Sequence, residues 1–221
     1  MMVPRVKVCC IASVAEARLA VEAGASAVGL VSTMPSGPGI IEEDRIAEIG
    51  ATVPPGVSTF LLTSVTDPAE IVAQQRRCRT STIQLCDLLE PGAHRELRTA
   101  LPGIAIVQVV HVTGLESLAE AVTVAPDVDA LLLDSGRRDL PIRELGGTGR
   151  THDWTVSQRI RDAVGVPVFL AGGLNASNVG TAIAAVRPYG VDLCTGVRTN
   201  GQLDGDKLIA FMRAVRVAGE P

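Results

Sequence analysis

The sequence predicts an α/β protein and, within that class, a closed (β/α)8 barrel of the TIM-barrel type. Short β-branched runs alternate with alanine-rich helical stretches along all 221 residues, and there are eight of each. Polar residues inside several strands are typical of a barrel interior. A doubly wound open sheet would show the same alternation of strands and helices, but eight strand–helix units that account for the whole sequence favour a closed barrel.

The strands are short runs rich in Val, Ile and Leu, and Gly or Pro marks several of the returns to strand, as at Gly24, 54–56 and Gly165. They are predicted at 5–9, 27–32, 57–62, 81–85, 103–109, 129–134, 166–170 and 190–194.

Several helices begin with capping residues. Ser13 is followed by Glu16 in the capping-box spacing, residues 66–68 read Thr-Asp-Pro, and Asn175 precedes an alanine-rich run. The helices are predicted at 13–24, 42–51, 67–78, 91–100, 114–124, 153–163, 175–186 and 204–217. Because no linker or low-complexity tract interrupts the series, a single barrel domain spanning 1–221 is expected.

Composition excludes several classes of function. The net charge is −4 and aromatic residues make up 2%, which argues against nucleic-acid binding. No apolar run is long enough to cross a bilayer, and the N-terminus lacks the pattern of a secretory signal. Five cysteines, two of them adjacent, indicate reduced thiols and a cytoplasmic protein. The oligomeric state is left open.

Strand alternation predicts which side chains face the barrel interior, because the helix-facing set should be apolar. In the first strand Lys7 and Cys9 face inward, whereas Cys10 faces outward and packs under the first helix. The same alternation places four other polar or thiol side chains inside, and Asp134 lies at the carboxyl end of the sixth strand, where barrel enzymes assemble their active sites. The four inward residues are Gln84, Cys86, Asp192 and Cys194.

Cys9 has two interpretations at this stage. It is either a small buried residue or a thiolate at the barrel mouth, favoured by Lys7 on the same face. Its place at the carboxyl end of the strand favours the second interpretation. A metal site is not predicted, because no CxxC-type pair accompanies the inward cysteines.

Glycines cluster in the loops that follow the last strands. Barrels bind phosphate through backbone N–H groups of the loops after strands seven and eight, and glycine lets the backbone approach the ligand. A phosphorylated ligand is therefore predicted at Gly172, Gly173 and Gly196. Each glycine alone also suits an ordinary tight turn.

Six segments together resemble one enzyme family. They are "VKVCCIAS" (6–13), "STIQLCD" (81–87), "LLLDSG" (131–136), "GGTGRTHDW" (146–154), "PVFLAGGLNASNV" (167–179) and "VRPYGVDLCTGV" (186–197). In order and spacing they are similar to the phosphoribosylanthranilate isomerases of tryptophan biosynthesis, and the similarity is strongest from Leu131 to Val197. The resemblance implies a (β/α)8 barrel that needs no cofactor.

The resemblance also implies a reaction, the Amadori rearrangement of N-(5-phosphoribosyl)anthranilate to 1-(2-carboxyphenylamino)-1-deoxyribulose 5-phosphate. Cys9 corresponds to the family's general base and Asp134 to its general acid. Together with the inward-facing and glycine-loop positions, this gives a set of candidate substrate-binding residues: Lys7, Gln84, Gly147, Thr148, Gly149, Asp192 and Arg198.

Three positions depart from the family pattern. Cys10 and Ser13 stand where the first motif usually has glycine and threonine. Gly39 stands where the loop after the second strand usually has an arginine that resembles a clamp for the substrate carboxylate. Arg198 follows the last motif where glutamate is usual. We therefore expect Arg198, or Arg143 or Arg150, to supply the missing cation.

Other functions stay open at this point. A paralogue would isomerise a different phosphosugar amine, and a non-catalytic barrel would only bind a phosphorylated metabolite. The retained Cys9 and Asp134 favour an enzyme. The related isomerase of histidine biosynthesis uses two aspartates. Because this chain has Cys9 where the first aspartate would stand, that function is disfavoured.

Overall fold

The structure, a computed structural model, describes residues 3–219. Eight parallel strands close into a barrel in which each strand pairs with the next along the chain and the eighth pairs with the first. This confirms the predicted fold class. The strands are β1 (Arg5–Val8), β2 (Ala27–Val31), β3 (Ser58–Thr63), β4 (Thr82–Leu85), β5 (Ala105–His111), β6 (Ala130–Asp134), β7 (Val168–Leu170) and β8 (Gly190–Leu193).

A helix follows every strand, as predicted. Ser13 caps the first helix by accepting a hydrogen bond from the Glu16 N–H, and Asp67 caps the third in the same way. The helices are α1 (Val14–Glu22), α2 (Glu43–Thr52), α3 (Pro68–Cys78), α4 (Ala93–Ala100), α5 (Glu116–Val124), α6 (Trp154–Ala163), α7 (Val179–Val186) and α8 (Gly205–Gly219).

Helix α7 begins four residues later than predicted. The Asn175 side chain accepts hydrogen bonds from the N–H and hydroxyl of Ser177, and its carbonyl accepts from Asn178. Asparagine thus closes a turn on its own backbone instead of starting the helix.

Side chains alternate between two apolar layers. Val6 and Val8 belong to the layer between barrel and helices, whereas Phe60, Val107 and Leu132 fill the barrel interior. The predicted inward and outward positions of β4 and β8 are confirmed by the same division: Ile83, Leu85, Val191 and Leu193 face the helices, and Cys86 packs in the interior.

A short antiparallel hairpin after β8 was not predicted. Its strands are β9 (Arg198–Thr199) and β10 (Gln202–Leu203), joined through Asn200 and Gly201 with φ of 51° and 80°. An Asn-Gly pair with positive φ at both residues is the usual two-residue hairpin turn, so the dipeptide itself was the available signal.

Two connections at the carboxyl end of the barrel are long. The second loop (residues 32–42) joins β2 to α2, and the sixth loop (residues 135–153) joins β6 to α6. Within residues 3–219, no helix is long and apolar enough to cross a membrane.

Candidate active site

A cavity opens at the carboxyl end of the barrel, between the strand ends and the two long loops. Cys9 and Asp134 both line it, one after β1 and the other at the end of β6, on opposite sides of the barrel. The predicted residues that line it besides these two are Gln84, Gly147, Thr148, Gly149, Gly172, Gly173 and Asp192. Lys7, Gly196 and Arg198 do not.

Cys9 is buried, and its sulfur lies against Gly29 of β2. A Cβ atom at position 29 would lie 2.8 Å from the Cys9 Sγ and 3.1 Å from the Lys7 Nζ. Gly29 therefore makes room for both groups, a role that the sequence signalled only as an isolated glycine inside a strand.

The surroundings of Cys9 favour its thiolate. A hydrogen bond from the Cys10 thiol lowers the pKa of Cys9, and the Lys7 ammonium lowers it further, although burial opposes both. This is the environment of a reactive cysteine rather than of a structural one.

Lys7, a predicted substrate-binding residue, lies beneath the cavity and does not line it. Its side chain is fully buried, its Nζ lies 2.9 Å from Asp192 Oδ1, and it stands 5.2 Å from the centre of the Phe60 ring. Burial alone would lower the pKa of Lys7, but the Asp192 carboxylate raises it above its usual value, so the lysine stays charged. Its cation is thereby held below Cys9.

Asp134 is buried at the end of β6. Its Oδ1 accepts a hydrogen bond of 2.7 Å from the Ser135 N–H, and its Oδ2 faces Gly146 of the sixth loop. Burial raises the pKa of Asp134 to about 6, with the Asp192 charge adding to the effect and the Ser135 hydrogen bond opposing it. The acid and base candidates therefore have pKa values shifted in opposite directions.

Gly172 and Gly173 follow β7 with φ of 85° and 59°. Within the described part of the chain, their amide groups donate to no protein acceptor, so they are free for an anion. The sixth loop also crosses close above them, since a Cβ on Gly173 would lie 2.8 Å from the Gly149 carbonyl oxygen. Close packing and ligand binding thus both require glycine here.

Gly196 is placed differently. It lies in a 3-10 turn (Thr195–Val197) one residue beyond the lining residue Thr195, and a Cβ there would meet the Leu174 carbonyl oxygen at 2.1 Å. Its contact with Leu174 explains the glycine, and its role toward phosphate stays a prediction.

The prediction for Cys10 is wrong. Cys10 lines the cavity and belongs to the interior layer instead of packing under α1. The regular strand ends at Val8, and Cys10 has a left-handed φ of 62°, so alternation no longer applies to it. Its Sγ lies 2.7 Å from that of Cys194, and both are free thiols.

Arg198, which was predicted to supply a cation for the substrate, does not line the cavity. Its guanidinium pairs with Glu16, Nη1 to Oε1 at 2.9 Å, and donates to backbone carbonyls of the chain after β1. The alternatives are engaged elsewhere as well, since Arg143 pairs with Asp87 and Arg150 with Glu144. No lysine or arginine among residues 3–219 lines the cavity.

The second and sixth loops meet above the cavity. Ser36 Oγ donates to the Arg143 carbonyl at 2.6 Å, and a Cβ on Gly147 would lie 2.4 Å from Pro38 Cδ. These contacts form a roof that the sequence did not reveal, because they join residues about one hundred positions apart.

Among residues 3–219, no three His, Cys, Asp or Glu side chains are grouped so as to bind a metal ion.

Comparison with known proteins gives one family over almost the whole chain. The family model described as N-(5'-phosphoribosyl)anthranilate (PRA) isomerase matches residues 6–214. The N-(5'-phosphoribosyl)anthranilate isomerase of Methanocella arvoryzae is 33% identical over 96% of this chain and 98% of its own length. The N-(5'-phosphoribosyl)anthranilate isomerase of Haloferax volcanii is 36% identical over 97% of this chain and 94% of its own length.

Solved structures agree with the sequence comparison. The phosphoribosyl anthranilate isomerase of Thermotoga maritima superimposes with a TM-score of 0.83 at 28% identity, covering 97% of this chain and 99% of that one. A structure of such an isomerase in complex with reduced 1-(o-carboxyphenylamino)-1-deoxyribulose 5-phosphate gives a TM-score of 0.81 at 26% identity, with the same coverage. The chain therefore belongs to the N-(5'-phosphoribosyl)anthranilate isomerase family.

Proposed function

We propose that the chain catalyses the Amadori rearrangement of N-(5-phosphoribosyl)anthranilate to 1-(2-carboxyphenylamino)-1-deoxyribulose 5-phosphate. The observation that carries the proposal is the placement of Cys9 and Asp134 on opposite sides of one cavity, with the pKa of one lowered and of the other raised. Acid and base partners are expected to differ in this way. A related isomerase binds a reduced form of the same product.

Asp134 is the general acid. It gives its proton to the furanose ring oxygen as the C1′–O bond breaks, and the nitrogen lone pair forms the C1′=N double bond of a Schiff base. A raised pKa keeps this proton on the carboxyl group until it is needed.

Cys9 is the general base. Its thiolate removes the proton from C2′, and the electron pair of that bond moves to form an enamine whose tautomer is the product ketone. Lys7 beneath the thiol stabilises the thiolate without touching the substrate. The free amides of Gly172 and Gly173 receive the phosphate.

The remaining residues are proposed to line the substrate. Gln84, Asp192, Gly147, Thr148 and Gly149 border the cavity between the two catalytic groups. Thr148 is fixed by a hydroxyl contact of 2.7 Å with Ser135, the neighbour of the general acid. The five free thiols support a reducing compartment, so we place this single-domain enzyme in the cytoplasm.

The decisive test follows the loss of fluorescence of freshly prepared phosphoribosylanthranilate. Wild-type protein should turn it over, whereas Cys9→Ser and Asp134→Asn should each lower kcat by about a hundredfold or more. Cys78→Ala is the matched control, because that thiol is buried in the helix-facing layer, away from the cavity. Absence of turnover by the wild-type protein, or full activity of Cys9→Ser, would contradict the proposal.

One observation favours a second substrate class. The cavity is bordered by carboxyl groups and by no cation of the described chain, so the anthranilate carboxylate lacks an ionic partner. A phosphoribosyl amine with an uncharged ring, such as the aniline analogue, should then be used about as well as the anthranilate. A kcat/KM at least about a hundredfold higher for the anthranilate would eliminate this alternative.

A further inference from the structure

Arg198 and Glu16 form an ion pair outside the cavity, next to the catalytic thiol. Only 8% of the Arg198 side chain and 15% of the Glu16 side chain are exposed. The two groups are joined twice, by Nη1 to Oε1 at 2.9 Å and by Nη2 to Oε2 at 3.2 Å. A largely buried pair of this kind loses hydration at both groups, so its other hydrogen bonds decide whether it stabilises the structure.

The remaining hydrogen bonds of Arg198 all reach backbone carbonyls, two of them at Cys9 and Cys10. Arg198 Nη2 donates to the carbonyl oxygens of Cys9 and Cys10, the first at 3.4 Å, and Nη1 donates to the Gly201 carbonyl at 2.8 Å. In the part of the chain that the structure describes, no other group donates to the Cys9 and Cys10 carbonyls.

Glu16 completes the connection from the other side. Its carboxylate accepts from the Ala12 N–H and from the Leu203 N–H, both at 2.9 Å. The pair therefore ties together the chain after β1, the first turn of α1 and the hairpin β9–β10.

The chain after β1 needs this support. Cys9 N–H donates to the Leu193 carbonyl and Ile11 N–H to the Gly29 carbonyl, and between them Cys10 adopts a left-handed φ of 62°. A non-glycine residue in that conformation is strained, and it persists only where surrounding contacts fix it. Arg198 supplies such contacts on both carbonyls that flank the strained residue.

We propose that the Arg198–Glu16 pair positions Cys9: it fixes the backbone at residues 9–10 so that the thiolate points at C2′ of the bound substrate, and it touches no substrate itself. This assignment rests on the proposed function of Cys9. It gives Arg198 a role in kcat, in place of the carboxylate binding predicted from the sequence.

The test compares Arg198→Gln, Arg198→Lys and Glu16→Gln with the control Arg98→Gln. Arg98 has matching chemistry at the amino end of the barrel, where it donates to the Asp127 carbonyl at 3.1 Å and to Asp129 at 3.0 Å. Arg198→Gln and Glu16→Gln should lower kcat by about 10- to 100-fold with KM changed less than about twofold, because a misplaced base slows only the chemical step. Arg198→Lys should recover part of the loss, and Arg98→Gln should keep kcat within about twofold.

Alkylation of Cys9 by iodoacetamide, followed by mass spectrometry, gives a readout that does not depend on the substrate. In Arg198→Gln the rate at a fixed pH should rise by at least about threefold, because loosening of residues 9–10 exposes the thiol. If the wild-type protein does not turn over substrate, the proposed function fails, and the alkylation result still decides whether the pair holds Cys9.

Two outcomes overturn the positioning role. One is a raised KM with unchanged kcat in Arg198→Gln, which would return Arg198 to substrate binding. The other is an equal effect of Arg198→Gln and Arg98→Gln on kcat and on Cys9 alkylation, which would reduce the pair to general stabilisation of the barrel.

Discussion

The Lys7–Asp192 charge pair beneath Cys9 contributes to how readily its thiol ionises. Lys7 lowers the pKa of Cys9, and Asp192 raises it, after the larger effects of the Cys10 hydrogen bond and of burial. Lys7→Gln should therefore move the midpoint of Cys9 alkylation to higher pH, and Asp192→Asn should move it to lower pH. The pH dependence of iodoacetamide labelling measures both. Shifts of the same sign in the two variants would show that their effect is structural rather than electrostatic.

Cys10 and Gly39 occupy one space. Gly39 has a φ of 81°, and a Cβ there would lie 2.5 Å from the Cys10 Cβ. Gly39→Ala should therefore lower the free energy of unfolding by about 1–3 kcal/mol, from the clash and the left-handed φ together.

Removing the Cys10 side chain should relieve part of that cost. In a Cys10→Gly background the same Gly39→Ala change should cost about 1 kcal/mol less, as measured by urea unfolding of the four proteins of the cycle. Additive effects would mean that the two residues do not compete for space. If the effects are instead non-additive by this amount, the residues at positions 10 and 39, which both depart from the family pattern, are coupled through the space they share.

At the scale of elements, strand alternation predicted correctly which side chains face the barrel interior, but it gave a wrong direction beyond the end of the regular strand β1. Cys9, Gln84 and Asp192 were placed correctly because extended strands alternate strictly. Cys10 was misplaced because it lies two residues beyond Val8, the last paired residue of β1, and has a positive φ. The contacts of Arg198 were not predicted because its partners, Glu16 and the carbonyls of Cys9 and Cys10, lie more than 180 positions away in the sequence.

The contacts between the second and sixth loops above the cavity could not be predicted either, because they join residues about one hundred positions apart. They lead to a further prediction. Gly147 has a φ of 68°, and a Cβ on it would lie 2.4 Å from Pro38 Cδ, so Gly147→Ala should push the second and sixth loops apart. We expect KM to rise by about tenfold through loss of substrate contacts, as steady-state kinetics will measure.

Gly103→Ala is the matched control for the roof. Gly103 has a φ of 85° and no atom within 4 Å of the added Cβ, so it carries the same backbone penalty without a neighbour to displace. A similar KM in the two variants would mean that backbone strain, not separation of the loops, explains the change.

For the molecule as a whole, the raised pKa of Asp134, the proposed general acid, lowers the free energy of unfolding at neutral pH. The folded barrel holds the Asp134 proton up to about pH 6, whereas an unfolded chain releases it near the usual pKa of 3.8. Between these values the folded state binds more protons than the unfolded one, so the contribution of Asp134 to the free energy of unfolding falls as pH rises and stays low above pH 6.

Asp134→Asn removes this penalty together with the activity. At pH 8 the variant should be more stable than the wild type by about 3 kcal/mol, since a shift of about two pKa units corresponds to that amount, and near pH 3 the two should be equally stable. Urea unfolding at the two pH values measures the difference. Asp139→Asn is the control, because Arg137 holds the pKa of that exposed carboxyl below its usual range, and its removal should give no gain at pH 8. If Asp134→Asn is no more stable than the wild type at pH 8, Asp134 is not held protonated by burial, and a different group must protonate the ring oxygen.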